Sequence, residues 1–110
     1  MKTFNFETFF ANYENCMFSL NKYRANDALA IQIWNEEDGP IAVLTVCIPE
    51  YKLKENETFI DVNNCPWAVE LVGKLGLGTF TGLYGRSGYC TYPAVEFNKD
   101  ELEKYVWKEE

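Results

Sequence analysis

The sequence predicts an α+β fold: an antiparallel sheet of about five strands, one main helix packed on it and a short C-terminal helix. Three observations carry that expectation. Residues 28–49 read ALAIQIWNEEDGPIAVLTVCIP, two apolar stretches flanking the turn Glu36-Glu37-Asp38-Gly39-Pro40, which is the pattern of a β-hairpin. Residues 66–76 place Ala68, Leu71, Val72 and Leu75 at helical spacing behind Pro66 and ahead of Gly76. Residues 78–97 form a second candidate hairpin around Gly85-Arg86-Ser87-Gly88.

Each element has a local reason. Residues 17–23 alternate imperfectly and predict a strand. In the next strand Leu29, Ile31 and Ile33 share one face, with Ala30, Gln32 and Trp34 on the other. Beyond the turn, Ile41, Val43, Thr45 and Cys47 alternate with Ala42, Leu44, Val46 and Ile48, so both faces are apolar and a central strand is expected. Gly39 suits the left-handed region that closes such a loop. Residues 50–57 are polar and read as a surface loop, and residues 58–62 as a short strand. Asn64 or Cys65 is the expected helix cap and Gly76 the C-terminal one. Pro93 puts the last strand at an edge or a bulge. Asn98 followed by Glu101 resembles a capping box, with Leu102, Tyr105 and Val106 as the apolar side of the final helix.

The chain of 110 residues is long enough for one domain, 1–110, with its own core, and 47% hydrophobic with 16% aromatic residues is ample apolar surface for folding. No continuous apolar segment follows a basic start, and no stretch approaches the ~20 apolar residues of a membrane span. A soluble cytoplasmic protein that does not enter a membrane is the expectation. Cys16, Cys47, Cys65 and Cys90 are widely spaced, and the chain has no histidine, so free thiols are expected rather than a metal site. No cofactor motif is present.

Seventeen acidic residues against 10 basic ones give a net charge of −7. That balance opposes direct binding of nucleic acid, which needs clustered Lys and Arg. It suits a basic protein partner, including an enzyme whose nucleic-acid groove an acidic domain could occupy. The candidate binding residues are Glu36, Glu37, Asp38, Glu55 and Glu57 with Trp34, and a DNA-mimicking inhibitor requires those five carboxylates to share one face. A different class of function, a small-molecule or nucleotide-binding protein or an enzyme, would use the glycine-rich turn with Arg86, Ser87 and Tyr89. The glycines there lie between a helix and a hairpin, the wrong context for a phosphate loop. Without an imidazole no cysteine or serine triad can form, so no catalytic residue is assigned. Oligomeric state is not legible.

Several segments taken together, Leu29-Ala30-Ile31-Gln32-Ile33, Asp38-Gly39-Pro40, Leu44-Thr45-Val46 with Ile48-Pro49, Phe59-Ile60-Asp61-Val62-Asn63 and Ser87-Gly88-Tyr89 through Thr91-Tyr92-Pro93, carry a resemblance. They resemble a family of small, acidic, uncharacterised bacterial proteins often carried by conjugative elements and phages. The resemblance implies a small α+β cytosolic protein serving a mobile element or its host, and it brings no activity and no catalytic residue.

Overall fold

The strand pattern begins earlier than the sequence reading allowed. In the computed structural model, which describes residues 1–107, Phe4 and Phe6 are buried while Asn5 and Glu7 are exposed, the two-residue period of a half-buried strand. This strand, β1 (Phe4–Glu7), pairs antiparallel with β2 (Asn12–Lys22), which pairs with β3 (Leu29–Asn35), which in turn pairs with β4 (Gly39–Val43). A second antiparallel sheet contains β5 (Thr45–Val46), β6 (Glu57–Ile60), β7 (Gly78–Ser87) and β8 (Cys90–Phe97), in the spatial order β5-β6-β8-β7. Two short helices complete the described residues, α1 (Ala68–Leu75) and α2 (Lys99–Glu103).

The α+β expectation is therefore corrected. The fold is mostly β, 49% strand and 12% helix among the described residues, with two four-stranded sheets in place of one sheet of about five strands under a main helix. The run from Gly39 to Val46 explains much of the difference. It is not one central strand: its first part pairs with β3 and its last part with β6. Leu44 is the point of transfer, donating its N–H to the Ile31 carbonyl and accepting at its own carbonyl from the Asp61 N–H. A run that serves two sheets in succession is apolar on both faces for that reason.

The main helix is also smaller than a layer. Gly76, at φ +63°, ends α1 after eight residues, as the sequence suggests. Its N-cap is Trp67, which makes no side-chain cap bond. Asn64, one of the expected caps, instead turns its amide and its backbone N–H to the Asp61 carboxylate. Asn98 does cap α2, accepting from the N–H groups of Asp100 and Glu101.

The second hairpin turns two residues later than expected. Ser87 lies opposite Cys90, so the loop is Gly88-Tyr89 and Gly85 belongs to β7. Glycine at the first loop position, here at φ +60°, is the requirement of a II′ turn. Pro93 is not at an edge: β8 lies between β6 and β7. The irregularity falls on its partner, where residues 81–83 of β7 face Ala94 alone. Proline offers no N–H to a ladder, and the neighbouring strand bulges beside it.

One core joins both sheets and both helices through Phe18, Ile33, Leu44, Val95, Val72 and Leu102. A smaller cluster of Ile48, Phe59, Tyr92 and Ala94 covers the other face of the second sheet. The polar loop of residues 50–57 contributes to it, since Tyr51 sets its edge on Phe59 at 5.2 Å. Glycine at 85 permits that packing, because a Cβ there would lie 2.6 Å from the Phe59 ring.

All four cysteines are free, two of them buried and two half-buried. Burial pushes the Cys16 and Cys65 thiols up to about 11, with nearby Asp61 adding to the effect at Cys65. The consequence for stability has a definite sign. Below the ordinary thiol range both groups stay protonated whether the chain is folded or not, and stability does not change with them. Between pH 9 and about 11 the unfolded chain loses those protons first, so stability falls as pH rises through that window. At pH 8 a thiol-specific disulfide reagent should label Cys47 and Cys90 in the native protein, and Cys16 and Cys65 at least ~100-fold more slowly, after unfolding. Equal rates at all four would contradict this packing.

Candidate acidic and aromatic groove

The acidic turn is built on a buried amide. Asn35 ends β3, and its side chain accepts from the Asp38 N–H at 2.6 Å while donating to the Asp38 carboxylate at 3.0 Å and to the Glu14 carbonyl at 3.1 Å. Asp38 is thereby part of the turn. Glu36 and Glu37 are left exposed at its tip, and Gly39 closes it at φ +73°.

A bulge brings a further carboxylate beside them. Phe4 lies opposite Cys16 and Phe6 opposite Tyr13, so Glu14 and Asn15 of β2 together face the single residue Asn5. Asn15 takes φ +55°, a conformation that asparagine adopts more readily than most side-chain-bearing residues, and the Asn5 side chain accepts its N–H at 2.9 Å. The bulge sets Glu14 where two clefts meet.

The first cleft, of about 490 Å³, lies between the β1–β2 hairpin and the start of α1. Its aromatic wall is continuous: Phe6 stacks on Tyr13 at 5.2 Å and meets Trp67 at 4.6 Å with the rings tilted by 37°. Glu7, Glu14 and Glu70 stand around that wall, with Lys74 as the basic side chain among the lining residues. The second cleft, of about 410 Å³, is bounded by Glu14, Glu36, Glu37 and Trp107. The two clefts share Glu14 as a lining residue; the aromatic cluster belongs to the first, Glu36 and Glu37 to the second, and the pair is called the groove centred on Glu14.

The other residues singled out from sequence lie elsewhere. Trp34 is half-buried in β3, opposite Met17 and Pro40, and lines neither cleft. Glu55 is exposed in the turn before β6. Glu57 is buried, and its carboxylate accepts the Lys54 N–H at 3.0 Å, so it closes that turn and is not a surface charge. Because β6 runs antiparallel to β5 with Ile60 opposite Thr45, Glu55 and Glu57 sit at the far end of the Gly39 to Val46 run from Glu36 and Glu37. The five expected carboxylates do not share one face. Arg86, Ser87 and Tyr89 are exposed around the β7–β8 turn, the Arg86 N–H donating to the Tyr51 hydroxyl, and none of them borders the groove.

Glu7, Glu14 and Glu70 were missed because they are distant in sequence and meet only through the bulge and the helix. The available signal was the alternation Phe4-Asn5-Phe6-Glu7 followed by the Glu14-Asn15 pair. Among the described residues there is no group of three or more side chains that could hold a metal ion. No helix among them is long and apolar enough to cross a membrane.

What fold and site define is a small, mostly β protein with two antiparallel sheets, two short helices and adjoining acidic clefts, one of them walled by aromatic rings. The chain belongs to the family of the domain of unknown function DUF4313, whose model matches residues 17–109. No curated protein and no solved structure matches it.

Proposed function

We propose that this protein is a non-enzymatic binding module that takes a basic segment of a partner protein in the groove centred on Glu14. One observation carries the reading: the Phe6, Tyr13 and Trp67 cluster is surrounded by Glu7, Glu14 and Glu70, and Glu14 also lines the cleft bounded by Glu36 and Glu37. Aromatic faces attract ammonium and guanidinium groups, and the carboxylates pair with the same cations and steer them in. The bacterial mobile-element setting suggested by the family resemblance fits a host enzyme whose nucleic-acid groove is basic, although the partner need only present Lys and Arg.

Capture from an extract of the source cells tests this. Wild-type protein and a Glu14→Gln, Glu37→Gln, Glu70→Gln variant are immobilised, washed and eluted in a salt series. The expected result is a partner that leaves the wild type as salt rises and is not retained by the variant. Identical capture by both proteins would overturn the groove as the binding site.

A further inference from the structure

Charge is segregated along this chain. Between Glu70 and Glu96 there is no carboxylate, and the eleven residues from Leu75 to Gly85 carry no charge of either sign. That segment includes most of β7, an edge strand that among the described residues is paired on one side only, with β8. Exposed edges are ordinarily protected by charged residues, proline or a bulge, because unpaired backbone groups invite another strand, and on β7 the bulge at residues 81–83 is the one such device before Arg86. Here the edge shows Phe80 at 44%, Leu83 at 36% and Tyr84 at 61% exposure.

Phe80 lies opposite Val95 and Tyr84 opposite Pro93. Cross-strand partners share a face, and alternate residues of β8 share one too, so both rings project on one side of the sheet. Glu96, opposite Thr79, falls on the other side. At the far end of β7 the Tyr51 hydroxyl already accepts the Arg86 N–H, which leaves the stretch up to Tyr84 as the uncovered part.

The geometry points to a second copy of this chain as the occupant. We propose that two copies associate by packing their β7 edges antiparallel about a two-fold axis, joining the Phe80, Leu83 and Tyr84 side chains of both. Two bodies of charge −7 repel at most approaches, and β7 itself carries no carboxylate. A basic partner would be drawn to the acidic groove instead. An antiparallel contact between identical edges is self-complementary and closes at two. The contact is small, so the dissociation constant falls between about 1 µM and 1 mM.

Sedimentation equilibrium of the full chain across that concentration range tests the proposal. The expected result is a monomer–dimer equilibrium. Phe80→Glu with Tyr84→Glu should raise the dissociation constant at least ~10-fold, as should Phe80→Lys with Tyr84→Lys, and an equimolar mixture of the two variants should dimerise again. Tyr89→Glu, at the hairpin tip beyond the strand, should leave the dimer intact. A wild type that stays monomeric at about 1 mM, a mass that grows without limit, or a dimer indifferent to both double variants would each overturn it.

Discussion

Replacing Gly78 with alanine is expected to destabilise the protein by at least about 3 kcal/mol, measured by urea denaturation. The reason lies in what the new methyl group would meet. A Cβ at this position runs into the Glu96 carbonyl oxygen and comes within 2.9 Å of Phe97 Cα and of Val95 Cγ1. Two of those atoms belong to the backbone of β8, which is held on its other side by β6 and cannot retreat. Gly73→Ala makes the contrasting case. It lies within α1 at an ordinary φ, with nothing within 4 Å of the added carbon, so it should stabilise by up to about 1 kcal/mol. A neutral Gly78→Ala would contradict the β7–β8 pairing.

Phe18→Ala should cost about 3–5 kcal/mol, the range for removing a phenyl ring from a packed core. Phe18 is 1% exposed and lies 4.7 Å from Phe4 and 5.9 Å from Tyr105, so its ring joins β1, β2 and the residues after α2. Its N–H also donates to the Tyr105 carbonyl. Loss of the ring should therefore loosen the chain after α2 as well as lower the midpoint, and amide exchange at Tyr105 and Val106 would report it. Phe9→Ala serves as the reference. At 95% exposure its ring rests on Phe10 alone among the aromatic residues, and the change should stay within about 0.5 kcal/mol.

Strands were legible where the two-residue period is undisturbed, as in residues 29–35, and helix ends where a residue type has one conformational reason to be there, as with Gly76 and Asn98. The layer architecture was not. Nothing in the Ile41 to Ile48 run marks Leu44 as a transfer point between sheets, because a residue buried by two sheets and one buried in a central strand are both simply apolar. Phe4 and Phe6 lie in a segment whose short alternation is interrupted at Thr8, and only pairing with β2 makes it a strand. For the site, sequence proximity favoured Glu36, Glu37 and Asp38, and two of those line the groove. Glu57 looked like a loop carboxylate, yet backbone N–H groups at a turn recruit such side chains, and burial followed. Glu14 required a β-bulge, whose signal in a single sequence is no more than an asparagine.

Titration of the uniformly ¹⁵N-labelled protein with a synthetic Arg/Lys-rich peptide, followed by amide and indole resonances at two salt concentrations, bears most directly on the groove. The account predicts shifts centred on Tyr13, Glu14 and the Trp67 indole and extending to Glu36 and Glu37, weaker affinity at higher salt, and loss of the shifts in Glu14→Lys. Shifts confined to the region of Arg86, or an affinity unchanged by salt and by Glu14→Lys, would contradict it.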